Sequence, residues 1–260
     1  MDKLVLIKGG GDIATGIAHR LFMSGFKIAI TELPKPTMVR RSVSFAQSVY
    51  DIETTVEGVT AKCVELEQAE SVLVQGCIPV IISDVNNCID KLKPTFFVDA
   101  IIAKYNTGTS ITDAKVVVAV GPGFTAGQDV HAVVETMRGH DLGRVYYKGA
   151  AIPDTGIPGE IAGYTVERLL RAPEDGEFVS SRKIGDQVVA GDIVGHVASN
   201  EVRAGINGII RGLIQDKLIV YKGMKIGDID PRCRREHCFT ISDKARAVAG
   251  GVLEAIMHLK

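Results

Sequence analysis

Short apolar runs alternate with segments of helical spacing along the first part of the chain. Leu4–Ile7 and Lys27–Thr31 are apolar or β-branched almost throughout, as is typical of strands buried inside a parallel sheet. The segment between them, Asp12–Ser24, spaces its apolar side chains as a helix does and ends at Gly25. The pattern therefore predicts a strand–helix–strand unit, which we expect to be right-handed.

The same alternation continues through the first half of the chain. It predicts helices and strands in turn, at Glu65–Gln75, Pro79–Ser83, Asp84–Leu92, "FFVDAII", "KVVVAVG" and Gln128–Arg138. Strands that alternate with helices in this way indicate an α/β fold. We therefore predict a Rossmann-like domain over residues 1–142, built on a doubly wound parallel sheet.

After Gly143 the pattern changes to short valine- and isoleucine-rich segments separated by turns. This all-β signature predicts a β-rich module over residues 143–232. A helix follows within residues 233–260, with Ser242 as its N-cap. Its apolar stripe consists of Ala245, Val248, Ala249, Val252 and Ile256. Because a small β module offers little surface to bury this stripe, we expect the helix to pack back on the first domain.

Composition and charge exclude several kinds of partner. Of the 260 residues, 46% are hydrophobic and 23% are charged, which is ordinary for a soluble globular protein. The formal net charge is −1 and no basic run stands out, so we expect no nucleic-acid partner. The apolar runs are too short to span a bilayer and no leader opens the sequence, so we expect a cytoplasmic protein away from membranes. In that compartment we expect the five cysteines to be reduced.

A glycine-rich turn joins the first strand to the first helix. It fits the pattern G-x-G-x-x-A and consists of Gly9, Gly10, Gly11, Asp12, Ile13 and Ala14. In this pattern Gly9 permits a tight turn, Gly11 lets a pyrophosphate approach the backbone, and Ala14 allows close helix–strand packing. The free amides and dipole of the helix N-terminus favour an anion. Glu32 ends the second strand, where a carboxylate can bind a ribose hydroxyl, so we predict a nucleotide site; the alternative is a glycine turn required only for packing.

Charged residues near this turn leave several interpretations open. Asp12 either caps the helix or repels a nearby phosphate. Arg40 and Arg41 either contact phosphates or form a solvated basic pair. Lys104 follows "FFVDAIIA" and either binds a phosphate or carboxylate or is simply exposed.

A second glycine-rich turn, "GPGFTAGQDVH", follows the fifth predicted strand. Because ligands of open α/β sheets bind at the carboxyl ends of the strands, we expect this turn to face the first one. The candidate ligand-binding residues here are Gly121, Pro122, Gly123, Phe124, Thr125, Asp129 and His131. The alternative is a plain strand-to-helix connection with Asp129 as an acid in the first helical turn.

The segment "CRREHC" brings Cys233, His237 and Cys238 close together in the sequence. A structural zinc site needs a further ligand pair that the sequence does not offer, so we expect no metal. No spacing of serine, cysteine, histidine or acidic residues identifies a nucleophile or a proton-transfer group. The catalytic residues are therefore unknown at this stage.

Part of the β-rich module, at about residues 173–230, resembles a barrel-sandwich hybrid, the fold of biotinyl and lipoyl carrier domains. The resemblance is carried by "APEDGEF", "IGDQVVAGDIVGHV", "RAGINGIIRGLI" and "LIVYKGMKIGDIDPR". Carrier domains present a modified lysine on the hairpin that corresponds here to "HVASNEVRAG", which contains no lysine. We therefore expect the carrier fold without carrier chemistry.

The chain as a whole resembles the YqeB-type accessory proteins of the selenium-dependent molybdenum hydroxylase system. The matching segments are "GGGDIATGIAHRL", "TELPKPTMVRRSVSFAQSVY", "VDAIIAKYNTGT", "GPGFTAGQDVHAVVET", "TGIPGEIAGYTVERLLRAP" and "CFTISDKARAVAGGVLEAI". This resemblance implies a Rossmann-like domain related to the XdhC/CoxI accessory proteins. It also implies a role in the maturation of a molybdenum hydroxylase.

The sequence therefore supports a maturation factor that binds either NAD(P) or the molybdenum cofactor. Its expected partner is a molybdenum hydroxylase or the maturation machinery of that enzyme, and a homo-oligomer is compatible with the sequence. The alternative is an NAD(P)-dependent oxidoreductase that acts on a small metabolite. A third hypothesis is a scaffold protein in which the glycine turn no longer binds a ligand. The sequence leaves open whether the protein is an enzyme and whether it handles selenium directly.

Overall fold

The structure is a computed structural model that describes residues 3–260. Its helices are α1 (Asp12–Met23), α2 (Ser48–Asp51), α3 (Ala69–Val74), α4 (Val85–Leu92) and α5 (Asp243–Leu259). The strands up to residue 150 are β1 (Leu4–Lys8), β2 (Lys27–Glu32), β3 (Glu53–Val56), β4 (Val59–Val64), β5 (Ile78–Ile82), β6 (Phe96–Asp99), β7 (Val116–Val120), β8 (Thr125–Ala126), β9 (Ala132–Val134), β10 (Val145–Tyr146) and β11 (Gly149–Ala150). The later strands are β12 (Leu169–Arg171), β13 (Gly176–Ser180), β14 (Gln187–Val188), β15 (Ile193–Val197), β16 (Asn200–Arg203), β17 (Gly208–Leu213), β18 (Ile219–Val220) and β19 (Lys225–Asp230).

The chain divides into two compact units. The first contains the described residues up to Pro36 together with Ser44–Thr155 and Ile241–Lys260. The second contains Thr37–Val43 and Gly156–Thr240. These limits differ from the predicted boundaries at residues 142 and 232, because the chain enters the second unit twice.

The first unit is built on a mixed sheet of nine strands within the described residues. The strand order is β10-β9-β7-β6-β1-β2-β5-β4-β3. The seven inner strands run parallel, whereas β10 and β3 pair antiparallel at the two edges. Leu4–Ile7 and Val116–Val120 are fully or almost fully buried, as expected of inner strands covered on both faces.

Helices α1 and α5 pack closely against each other in this unit. A Cβ built at Gly16 would lie 2.8 Å from Cβ of Ala245, so only glycine permits this approach. The predicted apolar stripe of α5 is buried at all five positions. The side chain of Ser242 accepts a hydrogen bond from the amide of Ala245. The predicted C-terminal helix and its N-cap are therefore confirmed.

The predicted fold class is wrong. The chain is a mixed α/β protein with a large mixed sheet, whereas we predicted a Rossmann-like, doubly wound parallel sheet joined to a barrel-sandwich hybrid. The predicted helix at Gln128–Arg138 is replaced by β9, because Ala132–Val134 is fully buried and pairs directly with β7. No helix connects β6 to β7 either, since an irregular loop spans residues 100–115.

The second unit contains two antiparallel sheets of four strands within the described residues, ordered β12-β19-β17-β14 and β16-β15-β13-β18. It does not form from residues 143–232 alone, because a segment of the N-terminal half adds to it. The carbonyl of Val39 accepts a hydrogen bond from the amide of Leu213 at 2.8 Å. Gly212 allows this contact, since a Cβ there would lie 2.8 Å from Cγ1 of Val39.

Within residues 3–260, no helix combines the length and the apolar character that crossing a membrane requires.

Candidate functional site

The carboxyl ends of the parallel strands gather polar and glycine residues at one edge of the large sheet. Strand β1 ends at Lys8 and leads into Gly9–Gly11, and β2 ends at Glu32. Strand β6 ends at Asp99, and β7 leads into Gly121. This is the edge at which open α/β sheets bind their ligands, so it is the candidate site.

The three consecutive glycines of the first loop differ in their surroundings. A Cβ at Gly9 would lie 2.8 Å from Cγ2 of Ile101, and one at Gly10 would lie 2.9 Å from the backbone nitrogen of Ala46. A Cβ at Gly11 would meet no atom within 4 Å. Packing therefore explains Gly9 and Gly10, whereas the space at Gly11 is open.

A neighbouring segment covers the Gly10 side of the loop through backbone hydrogen bonds. The amide of Ala46 donates to the carbonyl of Gly10 at 2.9 Å. The hydroxyl of Thr15 donates to the same carbonyl at 3.2 Å and accepts from the amide of Phe45 at 2.8 Å. These contacts fix the loop relative to α1 and leave its Gly11 side facing outward.

Helix α1 begins directly behind Gly11. Gly11 is the N-cap residue of this helix. Its φ of −65° is accessible to any residue, and as a glycine it has no side chain that could cap the helix. The amides of Ile13 and Ala14, in the first turn of the helix, have no acceptor within the helix. Ala14 is fully buried, as expected for close packing on the sheet. The open space at Gly11 thus lies at the positive end of a helix of 12 residues.

Glu32 takes part in the loop in a way that the sequence did not suggest. One carboxylate oxygen accepts from the amide of Gly10 at 2.8 Å, and the other accepts from the amide of Leu33 at 2.6 Å. Burial raises the pKa of Glu32, and these two hydrogen bonds offset only part of the rise. The side chain therefore braces the turn, and the predicted contact with a ribose hydroxyl competes with that role.

A buried ion pair at the same edge was missed in the sequence analysis. Lys8 and Asp99 are paired across β1 and β6, and Lys8 Nζ lies 3.2 Å from Asp99 Oδ2. The same carboxylate oxygen accepts from the hydroxyl of Thr109 at 2.6 Å, and Lys8 Nζ donates to Thr107 Oγ1 at 2.7 Å. The available signal was a charged residue that ends an otherwise apolar strand, as in "LVLIK" and "FFVD".

The second glycine turn lies against the loop that follows β6. A Cβ at Gly123 would come within 2.6 Å of the backbone of Tyr105, and one at Gly121 would lie 3.0 Å from Thr136 Oγ1. Both glycines have positive φ. Lys104 is half exposed and forms an ion pair with Asp154 at 2.7 Å. Gly121, Pro122 and Gly123 therefore stay at the carboxyl edge, but Lys104 already has an anionic partner.

The remaining predicted residues of this turn lie outside the candidate site. Phe124 is buried in the core, and Asp129 accepts from the amide of Thr125 at 2.8 Å to close a turn. His131 Nδ1 accepts from the amide of Val117, near the start of β7. His131 thus lies at the amino edge of the sheet, opposite to the expected position. The cause is that residues 124–131 run back along the sheet to begin a parallel strand.

Arg40 and Arg41 belong to the second unit, where both guanidinium groups are engaged. Arg40 is buried and donates to the carbonyls of His237 and Thr240 at 2.9 and 3.2 Å. Arg41 donates to the carbonyl of Leu213 at 2.7 Å and to the side chain of Gln215 at 2.8 Å. Through these contacts the two arginines attach residues 37–43 to the rest of the second unit.

The second unit also contains a buried network of charged side chains. Asp228 accepts from Arg168 and Arg211. Asp230 is fully buried and accepts from Nε and Nη2 of Arg232 at 2.9 and 2.7 Å. Burial raises the pKa of Asp230, but the hydrogen bonds and charges of Arg232 and Arg211 outweigh it, so the pKa lies below its ordinary value.

The segment "CRREHC" ends beside this network. Cys233 is exposed, whereas Cys238 is buried and its thiol donates to the carbonyl of Ile210 at 3.7 Å. Burial raises the pKa of the Cys238 thiol. Among residues 3–260, no three histidine, cysteine or acidic side chains are grouped so that they would hold a metal ion.

The chain has a relative with substantial sequence identity. The chain is 50% identical to a protein of Escherichia coli (strain K12) over 258 residues, which cover 99% of this chain and 48% of that protein. The chain is similar to YqeB. The name recorded for that relative is "Uncharacterized protein YqeB", and the present chain spans about half of its length. No family model matches the chain.

Solved structures overlay only loosely on this chain. An aspartoacylase family protein from Mesorhizobium loti is 11% identical with a TM-score of 0.27, covering 89% of this chain and 86% of that one. A succinylglutamate desuccinylase/aspartoacylase from Rhodobacter sphaeroides is 14% identical with a TM-score of 0.28, covering 87% and 84%. Scores this low do not establish a shared fold.

Proposed function

We propose that this chain binds a phosphate-bearing ligand at Gly11 and acts as an accessory protein in the maturation of a molybdenum hydroxylase. The observation that carries the proposed ligand binding is the contrast within the glycine loop. Neighbouring atoms fill the space beside Gly9 and Gly10, but nothing lies within 4 Å of a Cβ at Gly11. Open space at the N-terminus of a helix suits a phosphate, because free amides and the helix dipole both favour negative charge.

The residues that would hold the phosphate are those of the first turn of α1. The amides of Ile13 and Ala14 would be donors, and Gly11 lets the ligand approach the backbone closely. Both NAD(P) and the molybdenum cofactor carry phosphate, so both fit this part of the site. When bound, the ligand would supply its own redox or metal chemistry, while these residues bind and orient it.

The resemblance of the motifs supports the accessory role. The motifs of the chain resemble those of YqeB-type accessory proteins of the molybdenum hydroxylase system. The identity of 50% to YqeB extends over 99% of the chain, so the likeness is not confined to the glycine loop. We further propose that the chain acts on the hydroxylase or on its maturation machinery in the cytoplasm.

The alternative function is an NAD(P)-dependent oxidoreductase. We do not propose it, because no specific contact in the structure favours it. A dinucleotide enzyme would use Glu32 on the ribose, but both oxygens of this carboxylate already accept backbone amides. The carboxyl edge also contains Lys8 and Asp99, whose charges are paired with each other.

A complementation experiment tests the accessory role. A strain that lacks the gene would be supplied with the wild-type gene, with Gly11→Val, or with Gly250→Ala as a control. A Cβ at Gly250 also has room, with its nearest neighbour 3.8 Å away, and lies on α5. We expect equal amounts of hydroxylase in all strains, but loss of its activity and molybdenum content with Gly11→Val. Fully active, molybdenum-replete hydroxylase in the deletion strain would refute the proposal.

A further inference from the structure

A cavity separate from the glycine loop lies beside α1 within the first unit. Its volume is about 230 Å³. The side chains that matter for its chemistry are His19, Arg20, Met23, Ile241 and Arg246. It lies along α1 from Gly16 to the C-terminal end and beside Ile241 and Arg246, whereas Gly11 is at the N-terminus of that helix.

Two arginines give this cavity a net positive charge. Arg246 donates from Nη2 to both carboxylate oxygens of Glu57, at 2.7 and 2.9 Å. Glu57 also accepts from the amide of Ile241 at 2.9 Å, and its pKa is lowered because these hydrogen bonds outweigh the effect of burial. Within the described residues, the guanidinium of Arg20 forms no hydrogen bond or ion pair. One positive charge in the cavity is therefore left uncompensated.

The other walls of the cavity add a hydrogen-bonding group and an apolar surface. His19 Nε2 lies 3.3 Å from the carbonyl of Glu57 and donates to it, so Nδ1 is the ring nitrogen that remains for a ligand. Met23 and Ile241 provide the apolar part of the wall. The volume lies below the roughly 300–1,000 Å³ typical of drug-sized ligands.

We propose that this cavity is a binding site for a small organic carboxylate with a short apolar chain. The free guanidinium of Arg20 pairs with the carboxylate, since arginine and carboxylate match in charge and in geometry. The apolar chain lies against Met23 and Ile241. A monoanion is preferred because it neutralises the single uncompensated charge.

Calorimetric titration of the full chain with hexanoate tests this assignment. Hexanamide serves as an uncharged probe of the same length, and inorganic phosphate serves as an anion without an apolar part. We expect saturable binding of hexanoate and much weaker binding of the other two. Absence of hexanoate binding, equal binding of hexanamide, or tighter binding of phosphate would each overturn the proposal.

Three variants assign the binding to this cavity. Arg20→Gln should weaken hexanoate binding about tenfold or more, because it removes a charge-assisted hydrogen bond worth roughly 1.5–3 kcal/mol. Glu57→Gln should tighten binding, since Arg246 then loses its counter-charge while Ile241 keeps an acceptor. Arg144→Gln is the matched control, because Arg144 lies in the same unit and pairs with Asp141. Unchanged affinity in Arg20→Gln, or a loss in Arg144→Gln as large as in Arg20→Gln, would overturn the assignment.

Discussion

Among single residues, the glycine loop shows how the same residue type serves different purposes at neighbouring positions. Gly9 has φ +92° and packs against Ile101, so it needs both the conformational freedom and the small size of glycine. Gly10 needs only the small size, because the backbone of Ala46 covers it. Gly11 needs neither for packing. The proposed function accounts for its lack of a side chain, because a ligand would approach the backbone at this position.

Alanine substitutions at two of these glycines should differ in their effect on stability. Gly10→Ala forces a Cβ to within 2.9 Å of a backbone nitrogen and should lower the free energy of unfolding by about 1–3 kcal/mol. Gly11→Ala meets open space and should cost less than about 1 kcal/mol, chiefly because alanine is a poorer N-cap. Urea denaturation of the two variants measures the difference, and equal losses would contradict the packing assignment.

Asp230 should contribute to stability in a pH-dependent way. Its pKa in the folded chain lies below the ordinary value of 3.8, so its ionised form stabilises the fold above that pH. This contribution is lost as the pH falls through the lowered pKa. The unfolding free energies of the wild type and Asp230→Asn should therefore differ most at neutral pH and converge in acid. A difference that stays constant between neutral and acidic pH would show that Asp230 acts without its charge.

Among the elements, the regular amphipathic helices were predictable and the short buried strands were not. Helices α1 and α5 begin within one residue of their predicted starts, because caps and apolar spacing agree there. Strand β9 was predicted as a helix, because its buried residues stand in a run too short to reveal a period. Only its pairing with β7 distinguishes the two structures, and that contact is not local in the sequence.

Two glycines inside helices provide a matched test of the packing of α1 on α5. Gly250→Ala should stabilise the chain by up to about 1 kcal/mol, because alanine is the better helix former and the new Cβ has room. Gly16→Ala should destabilise the chain in spite of the same gain, because its Cβ would lie 2.8 Å from that of Ala245. Thermal unfolding of both variants gives the signs. A stabilising Gly16→Ala would mean that the two helices separate without cost.

On the scale of the whole molecule, the chain passes between its two units more often than the sequence indicates. Residues 37–43 join residues 156–240 in the second unit, and α5 belongs to the first. The composition change after Gly143 predicted a second module from residue 143, whereas the larger part of the second unit begins at Gly156. It gave no sign of the inserted segment, because seven residues are too few to carry a periodic pattern. The same segment misled the site prediction, since Arg40 and Arg41 bond within the second unit.

The inserted segment should matter for the stability of the second unit. Arg40→Met leaves the carbonyls of His237 and Thr240 without their donor, which should cost about 1–3 kcal/mol. The amide of Leu213, which donates to Val39, should then exchange its hydrogen faster. Arg171→Met is the control, because Arg171 is an exposed arginine of the same unit that also bonds to a carbonyl. Equal exchange rates at Leu213 in the two variants would contradict this account.

Identification of the small molecules that purify with the protein tests the central claim most directly. Wild type, Gly11→Val and Gly250→Ala would be purified from the same host under native conditions, denatured, and analysed by mass spectrometry. We expect a phosphate-bearing compound, a dinucleotide or the molybdenum cofactor, from wild type and Gly250→Ala but not from folded Gly11→Val. The same compound in equal yield from Gly11→Val, or no phosphate-bearing compound from the wild type, would contradict a ligand site at Gly11.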